Sequence, residues 1–197
     1  MSKCLKDGFY VAPRREKEIR VVAEQMRKIL CDHPDFKYLD IIKVLEFRMP
    51  DAFPGFRYEI VEPCEMPDNE GEMNPFEYCI RIQEPAYIKA MNGDGHSRFT
   101  VAHELGHFFM HQTQTLAFGR RATNGNIPTY SNSEWQADVF ARNLLAPYSM
   151  TRGMIAQEIE TLFGVSRSVA DIVAGTKTSH SSLSPKSGAM VQMSFPF

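Results

Sequence analysis

The stretch Arg98-Phe99-Thr100-Val101-Ala102-His103-Glu104-Leu105-Gly106-His107-Phe108-Phe109-Met110 decides how this chain is read. Its pattern is helical: apolar side chains surround His103, Glu104 and His107, and the two histidines stand four apart. Residues four apart lie on one face of a helix. Two imidazoles at that spacing can hold one ion with metal–nitrogen distances of about 2.0–2.1 Å. Glu104 sits one residue further round, where its carboxylate reaches a water without ligating the metal. Phe99, Val101, Ala102, Leu105, Phe108, Phe109 and Met110 predict a largely buried helix, in which polar residues need a purpose. Zn2+ held by His103 and His107 supplies one. Zinc lowers the pKa of its bound water to about 7, and Glu104 would take the proton as general base while that water attacks a carbonyl.

A catalytic site needs a third protein ligand. His111 is four residues beyond His107, but eight residues of helix separate it from His103, about 12 Å along the axis. One ion cannot bridge that distance, so His111 is read as a histidine behind the ligands or at the surface. A metzincin would need a glycine three residues and a histidine six residues after the second ligand. Those positions hold Met110 and Thr113. Glu134, on the following helix, is the better candidate. The plain alternative is an acid favouring the positive end of its helix. Asp138 lies four residues on, on the same face. It is placed to accept the free N–H of a ligating histidine and so fix its tautomer. His96 and Glu84 are weaker ligand candidates.

Outward from this centre, residues 1–14 read as a loose arm and 15–175 as one domain. Residues 176–197, with many serines plus Pro185 and Pro196, read as a flexible tail. Helices are predicted from Arg15 to Cys31 and from Phe36 to Phe47, the second ended by Pro50. Strands are predicted at Phe56–Val61 and Phe76–Ile82, paired antiparallel across a polar loop. Ser97 is the expected cap of the histidine helix, and Ser131 or Ser133 of the next. Further helices are expected over Met150–Phe163 and Ser166–Ala174. Gly164-Val165-Ser166 looks like the turn of a helix-turn-helix, but basic residues are few there, so a scaffold helix is preferred. The order gives an α+β class, mostly helical, with a small antiparallel sheet.

Composition narrows the function further. The 197 residues carry a formal net charge of −2, which gives no reason to expect direct nucleic-acid binding. Arg14, Arg15, Lys17, Arg20, Arg27 and Lys28 share their segment with Glu16, Glu18 and Glu24, and read as a solvated helix face. The four cysteines, Cys4, Cys31, Cys64 and Cys79, form no Cys-x-x-Cys pair. No signal peptide or membrane span is visible, and a cytoplasmic setting with free thiols is expected. Cys64 and Cys79 are weak candidates for an inhibitory thiolate, and Tyr130 and Tyr148 for oxyanion donors. Packing is the preferred reading of Cys79 and of both tyrosines.

The two blocks, Arg98 to His107 and Glu134-x-x-Ala137-Asp138-x-Phe140-Ala141-x-x-Leu144-Leu145-Ala146-Pro147, together resemble the ImmA/IrrE family of metallopeptidases. The family often has Met where Ala146 stands. The resemblance implies a gluzincin-like, zincin-type fold with His103, His107 and Glu134 as zinc ligands and Glu104 as base. It also implies a zinc endopeptidase whose substrate is a helix-turn-helix repressor or an antitoxin-like partner. The other reading is a partner-binding module, or the toxin of a toxin–antitoxin-like pair, with weak or conditional peptidase activity.

Overall fold

The computed structural model describes residues 8–33, 35–74, 76–111 and 127–175. The expected tail, 176–197, and most of the irregular stretch after His111 lie outside them. Helix α1 spans Glu16–Leu30. It buries Ile19, Ala23 and Leu30 and closes on the expected boundaries. Its charged face is smaller than the sequence suggests. Arg20 pairs with Glu16 at 3.3 Å, but Arg27 is buried and donates to four carbonyls, those of Leu144, Leu145, Phe36 and Lys37.

The second helical region starts later than expected and runs through its proline. Asp40 caps α2 (Ile41–Lys43), a π turn follows over Val44–Arg48, and α3 (Met49–Ala52) continues past Pro50. A proline lacks an N–H and its ring crowds the carbonyl four residues back. The wider turn, in which Met49 N–H reaches Val44 O, relieves that crowding and lets the helix continue.

Strands β1 (Arg57–Val61), β2 (Gly71–Asn74) and β3 (Cys79–Gln83) form a sheet in the order β1-β3-β2. The α+β class stands, but the sheet is mixed. The two expected strands are parallel, with Arg57 beside Cys79 and Val61 beside Gln83. The polar loop between them contains β2, which pairs antiparallel with β3. A parallel pair needs the chain to return to the same end before the second strand, and residues 62–78 make that return. Cys79, Ile80 and Ile82 are buried on the central strand.

Helix α4 (Glu84–Met91) follows directly, an element the sequence reading passed over. Then come α5 (Gly95–Met110), α6 (Ser133–Leu145), the short α7 (Tyr148–Thr151), α8 (Ala156–Phe163) and α9 (Arg167–Ala174). The expected single helix over 150–163 is broken at Gly153, whose φ of 84° is left-handed. Helix α5 is central, packed by α4 on one side and α6 on another. Arg98, 1% exposed, ties its first turn to the rest. It donates to Leu39 O, Phe163 O and Gly164 O and lies 3.9 Å over the Tyr38 ring. The α8–α9 turn is thus held in the scaffold.

Residues 8–14, read from sequence as a loose arm, run beside 130–133. Val11 N–H donates to Ser131 O and Arg14 N–H to Tyr130 O, while Ser133 N–H donates to Phe9 O. Val11 is buried. Among the described residues no helix is long and apolar enough to cross a membrane.

Candidate metal centre

Two helices build the centre. Asp94, not Ser97, caps α5, accepting from both the backbone N–H and the hydroxyl of Ser97. Its carboxyl is held below its usual pKa by those bonds. Asn132, between the two serines proposed for the role, caps α6 by accepting from the N–H groups of Glu134 and Trp135. That cap places Glu134 in the first turn, facing α5. The helices come close because Gly106 faces Ala137. A Cβ on Gly106 would stand 3.0 Å from both the Cα and the carbonyl oxygen of Ala137.

Across this contact the structure brings His103, His107 and Glu134 together. His103 Nε2 and His107 Nε2 are 3.0 Å apart. Glu134 Oε2 lies 3.3 Å from the first and Oε1 3.4 Å from the second. A tetrahedral zinc ion with donors at about 2.0–2.1 Å requires donor–donor separations of roughly 3.3–3.4 Å. Two imidazoles and a carboxylate converging at this spacing therefore fit Zn2+ in size and chemistry. Among the described residues this is the one group of three or more metal-type side chains close enough to share an ion.

The outward nitrogens are also engaged. His103 Nδ1 lies 2.9 Å from Asp138 Oδ1, and His107 Nδ1 lies 3.1 Å from His111 Nδ1. His111 Nε2 lies 3.2 Å from Gln136 Oε1. So His111 is outside the donor triangle, as helix geometry demands, and packs behind His107. Gln136 is the residue sequence reasoning missed. Its position one turn before Phe140 gives no sign of a polar role.

Charges follow from these contacts. Burial opposes protonation of His103, but its bonds to Asp138 and Glu134, with Glu104 nearby, prevail and push it up to about 10. Burial likewise opposes the Glu134 carboxylate, and its bonds to His103 and His107 overcome this and hold it well below the usual carboxylate range. Burial, with His107 adjacent, pulls His111 down to about 3.

Glu104 is buried, and its carboxylate lies against the start of β2. A Cβ on Gly71 would meet Glu104 Cγ at 2.9 Å and Oε1 at 3.2 Å. The weaker candidates fall elsewhere. His96 pairs with Glu70 at 3.2 Å, and Glu84 opens α4. Cys79 is buried in the sheet, where burial raises its thiol, and Cys64 is exposed on a short 3-10 turn. Tyr148 sits under Arg20, 4.2 Å from its guanidinium, beyond the far end of α6 from Glu134.

A two-histidine, one-glutamate centre on a helical α+β scaffold defines the class as zincin-like. Residues 86–173 match the model of the IrrE N-terminal-like domain, Peptidase_M78. The match over these residues supports the ImmA/IrrE resemblance and a metallopeptidase of that kind. Among solved structures, a Mycobacterium tuberculosis transcriptional regulator is similar in fold, with a TM-score of 0.51 and 18% sequence identity. The alignment covers 78% of this chain and 45% of that one, so the chain spans less than half of that protein's length. No curated protein matches the sequence.

Proposed function

We propose that this protein is a zinc-dependent endopeptidase of the cytoplasm, acting on a protein substrate of the helix-turn-helix repressor or antitoxin kind. One observation carries the activity: donor atoms of three residues, His103, His107 and Glu134, converge at 3.0–3.4 Å. Zn2+ in that position would polarise the peptide carbonyl and acidify water. Asp138 keeps the His103 ring oriented, with Nε2 turned to the centre. Glu104, next to a ligand but not converging with the three donors, takes the proton from the attacking water. It then returns that proton to the leaving amine, so one carboxylate serves as base and then acid. The family match supports peptide hydrolysis. The choice of a repressor-like substrate rests on the family resemblance.

The test is incubation of the zinc-loaded protein with a helix-turn-helix protein encoded beside it, using wild type and Glu104→Gln. Cleavage by wild type alone is expected, with a loss of at least about 100-fold in the variant. Binding without Glu104-dependent cleavage would instead make the domain a partner-binding module.

A further inference from the structure

We propose that Gln136 sets the tautomer of His107 through His111, so that a neutral His107 turns its Nε2 lone pair to the centre. The consequence for metal rests on the ligand assignment above, but the order of hydrogen bonds does not.

The chain of reasoning starts at backbone carbonyls. Gln136 is fully buried, and its side-chain amide nitrogen lies 2.9 Å from Ala12 O and 2.8 Å from Tyr130 O. Carbonyl oxygens only accept, so the NH2 end of the amide must face them. Reversing the amide would set three oxygens against one another. The amide oxygen therefore faces His111 Nε2, at 3.2 Å. That oxygen also only accepts, so His111 Nε2 carries a proton. His111 is 3% exposed and neither of its partners is a carboxylate, conditions that favour the neutral ring. A neutral imidazole has one N–H, so His111 Nδ1 is a lone pair. It faces His107 Nδ1 at 3.1 Å, and His107 must donate there. When His107 is neutral, as a metal ligand must be, its Nε2 is then the lone pair, 3.0 Å from His103 Nε2 and 3.4 Å from Glu134 Oε1.

The two histidines are thus oriented by different means. A carboxylate, Asp138, stands behind His103. A neutral ring and an amide stand behind His107, which fixes direction without adding charge to a centre already holding Glu134, Glu104 and Asp138. The neutral chain ends on Ala12, in the segment before α1. That segment is held to 130–133 by the bonds of Phe9, Val11 and Arg14. Gln136 and His111 are positioning residues in this scheme, acting through His107.

The decisive measurement is the tautomer, read from long-range 1H–15N imidazole correlations in 15N-labelled wild-type protein at neutral pH, with and without Zn2+. His111 is expected as the Nε2–H form in both, and His107 as the Nδ1–H form with zinc. A proton on His111 Nδ1, alone or together with Nε2, would overturn the proposal, and this outcome is readable whether or not zinc binds. Failure of zinc to shift His103 and His107 would sink the proposed function instead. Where His111→Phe and Gln136→Met fold, each should weaken Zn2+ binding about 10–100-fold in competition with a chromophoric chelator. Affinity unchanged in both folded variants would also count against it. If neither folds, the wild-type spectra still decide.

Discussion

Gly106 of α5 lies so close to Ala137 of α6 that a Cβ would stand 3.0 Å from backbone atoms on the partner helix. This contact sets how far Glu134 is from the histidine pair, because Glu134 is three residues before Ala137 on the same helix.

Gly106→Ala separates two opposing effects. Alanine gains about 1 kcal/mol over glycine inside a helix. Overpacking a tight contact costs about 1–3 kcal/mol, and here the opposing atoms are backbone, which yields less than a flexible side chain. A net destabilisation of about 1 kcal/mol is expected by urea denaturation. Gly106→Val should add to it and weaken Zn2+ binding at least about 10-fold, since small displacements of a ligand are felt directly. Full zinc affinity in Gly106→Val would show that the spacing is not set here.

Metal binding should release protons. Against burial, its bonds to Asp138 and Glu134 push His103 up to about 10, whereas coordination requires its Nε2 lone pair. Zinc titrations at pH 7 in buffers of different ionisation enthalpy should report about one proton released, and affinity should rise with pH. Stability of the metal-free protein should move the opposite way. A raised histidine pKa contributes stability fully present below the unfolded value of about 6.5, and lost as pH rises toward 10. The lowered Glu134 contributes stability present above about 4.3 and lost as pH falls below it. The two shifts describe one contact and are counted once. Chelated protein should therefore melt highest near pH 5–6 by this term, and a melting temperature that climbs from pH 6.5 to 9 would contradict it.

Arg98→Met should be among the most damaging changes away from the centre. It removes charged donors from Leu39 O, Phe163 O and Gly164 O while leaving those carbonyls inside. Hydrogen bonds to a charged group contribute about 1.5–3 kcal/mol each, less when shared, so a loss of at least about 3 kcal/mol is expected. Chemical denaturation reads it. A change under about 1 kcal/mol would mean that water replaces the arginine.

Asp94→Ala removes the cap of α5 but touches no donor. It should cost about 1 kcal/mol with zinc affinity nearly unchanged. Because the carboxyl is held below its usual pKa, the wild-type advantage should persist above about pH 4 and fade as pH falls further. Equal stability of the two proteins at pH 7 would rule out Asp94 as the effective cap.

Much of the centre was readable because a helix converts spacing into direction. His103, Glu104 and His107 needed only the 3.6-residue repeat, and the same repeat excluded His111 as a ligand and put Asp138 on the face of Glu134. Caps were less readable. Asp94 and Asn132 displaced Ser97, Ser131 and Ser133, since all are good cap residues and the choice depends on where the chain enters the helix. The sheet was misread because β2 is short, begins at a glycine and lies among prolines and acids, so no alternation marks it.

The sequence by itself determined that two imidazoles share a helix face and that an acidic pair follows on another. Local periodicity suffices for that. Only the tertiary structure decided that the faces meet at 3.0–3.4 Å, that the sheet is mixed, and that Arg27 and Arg98 are buried on carbonyls. It alone placed Gln136 between Ala12 and His111. Contacts between residues more than a hundred positions apart leave no periodic trace. They follow from which apolar faces pack together, and a small residue such as Gly106 sets the distance.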